Sequence, residues 1–438
     1  MTLRSSISAL LGRFQPYLVP MGSLGVRGLG ILAGFAVTVI IGRWYGPVAN
    51  GQYALISQTA IFMATIAIGG LDLAVAREFP EARVQDRLLS RRTLAMVIGQ
   101  SLALALGLAA LLAVASAPLM HLLGRPDLPT GSLLILCLIL LTRTLIRMVA
   151  CILRSQSSFL FSQAIEMVFV PLITLLLIVV GLAQSVQDIL FATFAGGCIA
   201  AAAGLAPILR QSSGAPEAYR IKMRRLYATA WPLWGVAIAQ NFSDWYGLAA
   251  ITAIGGLAET GMYRVASQFA VAFSIISLGL FGTYSTPISA AFHAGDRAVA
   301  AKVAGQATAL AMTLVLPLAI ASLLLAPWLL GLVGPEFAQS ALVLRILVCG
   351  QIAFTIAGSA SMVLAMSGHP RVNLWINLLT TAAIVIGAPL FIRIWGATGL
   401  ASCIAALMTM KAVICVMAVR RLEGIDVLRG KMIPAPEH

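Results

Sequence analysis

Three arginines lie within one apolar stretch, LTRTLIRMVACILR, at positions 141–154. Arg143 and Arg147 are four residues apart and Arg154 is eleven residues beyond Arg143, so a helix places all three on one face. At ~1.5 Å per residue the row spans about 16 Å of helix axis. A guanidinium group is a planar fork of donors that fits phosphate oxygens. The spacing therefore predicts a path for an anion such as a diphosphate group.

Other charged residues also occur inside apolar segments. Together with Arg143 and Arg147, the basic ones are Arg27, Arg264, Arg345 and Lys411, and the acidic ones are Glu166 and Asp244. A charge at the centre of a membrane span costs about 2.5–3.5 kcal/mol, so such residues usually face a bundle interior or a wet cavity. Because the basic residues outnumber the acidic ones, the set predicts a cationic cavity that attracts anions.

Some of these charges are expected to neutralise one another. When the chain reverses after the arginine helix, Arg147 and Glu166 come to a similar depth, and an ion pair between them is favoured. Asp244 and Arg264 also come to a similar depth, where an ion pair and a separate role for Asp244 in binding a proton or cation remain open. Arg143 is expected to have no such partner.

The remaining charges have less specific interpretations. Arg27 is expected to line the cavity, whereas Lys411 is expected to reach the inner interface along its aliphatic chain. For Arg345, lining the cavity and reaching the outer interface are both open. Asp72, at the inner edge of a span, is expected to be solvated near Arg77.

The sequence offers little for catalysis or metal binding. The four histidines lie at predicted loops or at the terminus, with no acidic partner nearby in sequence: His121, His293, His369 and His438. The six cysteines fall in apolar segments without metal-ligand spacing. An enzyme that makes or cleaves glycan bonds needs positioned acid-base groups, so we expect no enzyme and no cofactor.

The elements that must position these charges are membrane helices. Charged residues form 10% of the chain, and 60% is hydrophobic, whereas soluble domains carry about 25% charged residues. Long apolar runs without alternation predict helices. Twelve spans are predicted at about residues 22–42, 52–71, 94–117, 132–153, 159–181, 187–209, 228–251, 262–286, 305–330, 341–366, 372–393 and 397–419.

The distribution of positive charge predicts the orientation of these spans. With both termini in the cytoplasm, 20 of the 29 Lys and Arg residues lie on the inner side and 3 on the outer side. This asymmetry accounts for most of the formal charge of +14 without any nucleic-acid partner. We therefore expect a multi-pass protein with cytoplasmic termini.

The two halves of the sequence resemble each other. GPVANGQYALISQ begins at Gly46 and GLAETGMYRVASQ begins at Gly256, 210 residues later. This offset aligns Gly51 with Gly261. A duplication of six helices predicts two lobes with the same orientation, residues 1–215 and 216–438, related by a pseudo-two-fold axis along the membrane normal.

Several segments resemble those of one transporter family. IIGRWYGPVANGQYALISQ resembles the first two spans of polysaccharide-biosynthesis transporters in the MATE-like (MOP) flippase superfamily, and WPLWGVAIAQNFSDWYGLAAITAIGGLAETGMYRVASQF resembles their seventh and eighth spans. LAPWLLGLVGPEFAQSALVLRIL and MVLAMSGHPRVNLWINLL resemble the region around their tenth span. The likeness lies in pattern and order over nearly the whole chain.

The resemblance implies a function as well as a fold. It implies that an oligosaccharide on a polyprenyl diphosphate is moved across the bacterial inner membrane by alternating access, with coupling to a proton or sodium gradient left open. Arg27 and Arg264 stand where related flippases have basic cavity residues, and Asp244 stands at the acidic position of the seventh span. A glycan polymerase and other pathway proteins are expected partners.

Two other transporter classes compete with this interpretation. A cation- or proton-coupled drug antiporter of the same superfamily would favour an acidic cavity, and only Glu166 and Asp244 are available for one. A major-facilitator-type transporter shares the plan of six plus six helices. The loop REFPEARVQDRLLSRR lacks the leading G-x-x-x-D pattern of that class, and a cytoplasmic segment on anionic lipid head groups is the alternative.

Overall fold

The chain folds almost entirely into helices. A computed structural model describes residues 3–78, 91–122, 130–155, 159–211 and 223–432. The helices are α1 (Leu3–Ile68), α2 (Leu71–Glu78), α3 (Arg91–Leu122), α4 (Thr130–Ser155), α5 (Phe159–Ala164), α6 (Val170–Val179), α7 (Val186–Gln211), α8 (Met223–Gly255), α9 (Leu257–His293), α10 (Arg297–Gly331), α11 (Ala341–Met366) and α12 (Pro370–Glu423). A π-helix (Ile165–Phe169) joins α5 to α6, and a 3-10 helix (Pro335–Ser340) precedes α11.

The helices agree with the predicted membrane class. Within the described ranges, nine helical segments are long and apolar enough to cross a membrane. All twelve predicted spans fall on helices, and α1 and α12 each contain two of them. The prediction of a helical, multi-pass membrane protein is therefore confirmed.

Glycines bend the two longest helices. Gly46 in α1 has φ 79° and ψ −177°, and Gly396 in α12 has φ 56° and ψ −135°. Gly256, between α8 and α9, has φ 93° and ψ 176° and so nearly repeats the conformation of Gly46. A residue with a Cβ adopts these positive φ values only under strain. The sequence match at an offset of 210 residues thus coincides with a recurring backbone turn.

Pro171 explains the π-helix. A proline has no N–H and its ring crowds the carbonyl four residues earlier, which here belongs to Met167. The backbone widens into a π-turn over Ile165–Phe169 immediately before this proline. A Cβ on Gly30 of α1 would lie 2.8 Å from the Met167 carbonyl oxygen, so the glycine lets α1 pack closely against the π-turn.

Pro389 in α12 has a similar consequence. It cannot donate to the carbonyl of Val385, and the hydroxyl of Tyr246 on α8 donates to that oxygen at 2.9 Å. The tyrosine therefore satisfies a backbone acceptor that the proline leaves open, and it ties α8 to α12.

The chain divides into two compact units. The first comprises Met1–Thr38 with Ile56–Phe242, and the second comprises Val39–Leu55 with Ser243–His438. The buried core of the first unit lies around α4 and α7, where the absent side chain of Gly204 leaves room for Val149. The predicted boundary between residues 215 and 216 lies outside the described residues and stays a prediction.

A small hairpin was not predicted from the sequence. Strands β1 (Ile425–Asp426) and β2 (Lys431–Met432) pair antiparallel after α12. Glu423, only 3% exposed, precedes them and pairs with His369 Nδ1 at 3.1 Å. The helical description thus needs this one correction, because a short segment folds back onto the helix ends.

Candidate anion-binding site

The three arginines of α4 lie on one side of the helix, as their spacing predicts. Arg143, Arg147 and Arg154 are each half-buried, whereas their apolar neighbours Ile146 and Ile152 are fully buried in the first unit. The row is therefore set by helical periodicity, with its apolar face in the core.

Arg147 is held by an ion pair with Asp72. Its Nε lies 2.8 Å from Asp72 Oδ2, and its Nη1 donates to Thr65 Oγ1 at 2.9 Å. Gly69 and Gly70, both with positive φ, end α1 and allow α2 to begin at once with Asp72 in its first turn. A carboxylate there is favoured by the helix dipole.

This arrangement corrects two expectations. Asp72 is 8% exposed and paired, so the prediction that it is solvated near Arg77 is wrong. The predicted pair between Arg147 and Glu166 is also wrong. The helix break at Gly69 and Gly70 cannot be predicted from hydrophobic periodicity. It brings the carboxylate of Asp72 to Arg147.

Glu166 pairs with Arg154 instead. The Arg154 Nη2 atom donates to Glu166 Oε2 at 2.5 Å, and Glu166 lies in the π-helix. Glu166 thus belongs to a structural ion pair, although not with the predicted partner. Arg154 Nε is buried and has no acceptor among the residues that the structure describes, so one charged donor of this pair is still unused.

Arg27 lies beside the same π-helix. Its side chain is exposed on α1, and when the Gln163 amide is oriented to satisfy its neighbours, Gln163 Oε1 accepts from Arg27 Nε at 3.0 Å and from Nη2 at 3.2 Å. Gln163 is one helical turn from Glu166, so the Arg27 and Arg154 groups approach the same short segment.

The first unit therefore holds several arginines in an apolar setting. Among the described residues, Asp72 offsets Arg147 and Glu166 offsets Arg154, whereas Arg27 meets a neutral amide. Arg143 also takes part in an interaction of its own. Arg147 and Arg154 thus form structural ion pairs, whereas Arg27 contributes an exposed positive charge. We call Arg27, Arg143, Arg147 and Arg154 the arginine cluster.

The two residues whose pairing was left open, Asp244 and Arg264, both lie in the second unit. Asp244 on α8 is exposed, Arg264 on α9 is half-buried, and the charge of Arg264 acts on the carboxylate. Tyr53 and Tyr263 also act electrostatically on Arg264. No direct ion pair joins Asp244 to Arg264 within the described ranges, so the interaction is a longer-range one.

Arg345 has a structural contact that the sequence did not suggest. Its Nε donates to the carbonyl oxygen of Leu323 at 3.0 Å. Pro327 lies four residues after Leu323 and cannot supply the usual helical N–H, so the arginine replaces that donor. The side chain remains exposed, and a contact with substrate stays a prediction.

Lys411 has a side-chain partner that the sequence did not suggest. Its Nζ donates to Asn377 Oδ1 at 2.7 Å, within the second unit and between the two limbs of α12. A polar side chain on the facing limb thus holds the ammonium group, and the expectation that Lys411 reaches the inner interface stays a prediction. In the part of the chain that the structure describes, no cluster of His, Cys, Asp or Glu could hold a metal ion.

Comparisons with known proteins identify the family and the fold. Residues 23–293 match the family model described as "Polysaccharide biosynthesis protein". No curated protein sequence matches the chain.

Solved structures of related fold cover nearly the whole chain. An inward-facing multidrug resistance MATE family transporter of the MOP superfamily is 14% identical with a TM-score of 0.74, over 92% of this chain and 98% of that one. The lipid II flippase MurJ in an inward closed conformation is 12% identical with a TM-score of 0.73, over 92% and 87%. The Vibrio cholerae MATE transporter VcmN in its bent form is 16% identical with a TM-score of 0.61, over 97% and 98%. At these identities the likeness shows a shared fold.

Proposed function

The chain belongs to the polysaccharide biosynthesis protein family, and we propose that it is a flippase for a polyprenyl-diphosphate-linked oligosaccharide. The lipid-linked oligosaccharide would cross the bacterial inner membrane to supply O-antigen or exopolysaccharide synthesis. The partners of such a protein are the bilayer, the lipid-linked substrate and other pathway proteins, such as a glycan polymerase. Nucleic acid has no role in this proposal.

The arginine cluster is the observation that carries the proposal. A guanidinium among apolar helices is costly unless a carboxylate, another anion or water offsets its charge. Arg27 is exposed, and Arg154 Nε is a buried donor without an acceptor among the described residues. A diphosphate carries several oxygens that accept from guanidinium forks. The cluster thus suits the head group of the proposed substrate.

The proposal includes an architecture and an orientation. Twelve membrane helices form two six-helix lobes related by a parallel repeat, and both termini lie in the cytoplasm. The recurring turn at Gly46 and Gly256 supports the repeat. Substrate binds near the middle of the membrane and is exposed to each side in turn, as in other transporters built from repeats.

A drug antiporter is the second candidate, because the solved structures of similar fold include MATE transporters. A cationic drug needs an available carboxylate. Asp72 and Glu166 already pair with arginines, and Arg264 acts on Asp244. This use of the acidic residues favours an anionic substrate.

Flipping in proteoliposomes tests the proposal. Fluorescent lipid-linked oligosaccharide is incorporated, and its transfer between leaflets is followed by a quencher added outside. We expect transfer with the wild type and its loss in Arg143→Gln at equal amounts of folded protein. Arg210→Gln, which removes an exposed charge at the end of α7, is the matched control and should transfer normally.

The same vesicles separate the two candidates. Uptake of a cationic dye driven by a proton or sodium gradient, without transfer of any lipid-linked oligosaccharide, would establish the antiporter. Equal transfer by the wild type and Arg143→Gln would contradict the proposal that the arginine cluster binds the diphosphate group. In cells, a deletion strain should lose surface glycan and keep its drug tolerance.

A further inference from the structure

A row of polar side chains crosses the second unit along α12. Asn373, Asn377 and Thr381 follow one another at intervals of four residues, so they share a helix face. Asn377 Nδ2 donates to the Asn373 carbonyl at 2.7 Å, and Thr381 Oγ1 donates to the Asn377 carbonyl at 2.9 Å. We call Asn373, Asn377, Thr381 and the two residues they contact, Lys411 and Ser243, the polar seam.

The seam connects two charged positions on different helices. At one end, Lys411 Nζ donates to Asn377 Oδ1 at 2.7 Å. At the other, Thr381 Oγ1 and Ser243 Oγ lie 3.0 Å apart, and the next residue of α8 is Asp244. A lysine in the second limb of α12 is therefore linked through neutral hydrogen-bonding groups to the vicinity of an exposed carboxylate.

Lys411 differs from the other basic residues within the spans. Arginine keeps its charge in proteins, whereas a lysine in apolar surroundings can lose its proton. Arg27, Arg143, Arg264 and Arg345 thus carry permanent charges, and Lys411 has a proton that it can exchange. Asn377 Oδ1 accepts a hydrogen bond from either the ammonium or the amine, so the contact survives both states.

The charged and titratable groups around Lys411 are few. Cys415, one turn further along α12, acts on it electrostatically and contacts Ser361 of α11 at 3.4 Å. The facing limb of α12 presents the neutral Asn377, and α8 presents Asp244 beyond the seam. No carboxylate forms an ion pair with Lys411 among the residues described in the structure. Nothing there holds the lysine permanently charged.

We propose that Lys411 is the group that binds and releases the proton that drives transport. This inference rests on the proposed transport function and adds the coupling ion and its carrier. The ammonium gives one proton to water on one side of the membrane and the amine takes one from water on the other side. Release breaks one N–H bond and forms one O–H bond of water, uptake does the reverse, and nothing is oxidised or reduced. The polar seam orients the amine and ends at Ser243, the residue before Asp244.

The test compares the permanent charge of arginine with the exchangeable charge of lysine. Purified full-length protein is placed in proteoliposomes with fluorescent lipid-linked oligosaccharide and a pH gradient of about one unit. If one proton accompanies each substrate, the wild type should shift the ratio between leaflets by about tenfold. Lys411→Arg and Lys411→Met should both leave the ratio near one, and Lys302→Arg on α10 should behave as the wild type.

The result separates coupling from a merely structural role. An arginine keeps the positive charge and can donate to Asn377, so Lys411→Arg with normal gradient-driven transfer would overturn the inference. Asn377→Asp places a carboxylate beside the ammonium and should abolish coupling by holding the charge. A wild type that transfers substrate without any response to the gradient would also overturn the inference, while the flippase would stand.

A measurement without substrate covers the case in which no oligosaccharide is transferred and the proposed function fails. The four lysines are methylated with ¹³C, and their NMR signals are followed against pH in lipid nanodiscs. The signal lost in Lys411→Arg should titrate within the physiological pH range. A signal that stays fully protonated throughout that range would exclude Lys411 as a proton carrier.

Discussion

Gly51 and Gly261 pack backbone against backbone within the second compact unit. A Cβ on Gly51 would lie 2.0 Å from the carbonyl oxygen of Leu257, and a Cβ on Gly261 would lie 1.9 Å from that of Pro47. The contact is reciprocal, and Pro47 and Leu257 are also 210 residues apart. Each glycine therefore makes room for the carbonyl that precedes the other glycine by four residues.

Substituting Gly51 tests this contact. Gly51→Ala should lower the free energy of unfolding by about 1–3 kcal/mol, because the new methyl overlaps a backbone oxygen that cannot move alone. Thermal unfolding in detergent measures the change. Gly34→Ala is the control in the same helix, since a Cβ there meets no atom within 4 Å. Equal unfolding temperatures for the two variants would contradict the prediction.

The ion pair of Arg147 and Asp72 is expected to matter most when it is broken on one side. Asp72→Asn leaves a partly buried guanidinium without its carboxylate and should cost about 3–5 kcal/mol. The double variant Asp72→Leu, Arg147→Met removes both charges and should recover much of that loss. Unfolding temperature and yield of folded protein in membranes measure both. A double variant less stable than Asp72→Asn would argue against this pairing.

Arg345 is expected to stabilise the carbonyl that Pro327 leaves open. Arg345→Met should cost about 0.5–1.5 kcal/mol, the net range for one hydrogen bond, because the contact is exposed. In a Pro327→Ala background the helix regains its own N–H for Leu323, so the same substitution should cost less. The unfolding free energies of the wild type, the two single variants and the double variant give the coupling energy between Arg345 and Pro327. An equal cost in both backgrounds would mean that the arginine does not replace the missing donor.

Arg27 is expected to act on substrate and not on stability. Its exposed guanidinium contacts only a neutral amide in the hydrogen bonds described above, so Arg27→Gln should leave the unfolding temperature unchanged. The loss of a charged hydrogen bond, about 1.5–3 kcal/mol, should weaken substrate binding by about tenfold or more. The substrate concentration that gives half-maximal transfer measures this. Arg27→Lys keeps the charge without the planar fork. Its substrate concentration for half-maximal transfer should lie between those of the wild type and Arg27→Gln.

The structure changed the interpretation of the charges more than that of the helices. Periodicity and composition predicted the spans and the common face of Arg143, Arg147 and Arg154, because both are local properties of the chain. The partners of Arg147 and Glu166 were predicted from depth alone and were wrong. Depth does not reveal the glycine break before Asp72 or the π-turn at Pro171.

The amino-acid sequence by itself determined a helical membrane protein of the polysaccharide biosynthesis protein family, with an arginine row and a repeated segment that contains glycines. Apolar run length and helical spacing can be read directly from the order of residues. Only the tertiary structure decided that Asp72 neutralises Arg147, that Arg345 serves Leu323 and that Asn377 holds Lys411. The physical reason is that a side chain's partner depends on which helices break and pack together, and those contacts join residues far apart in the chain.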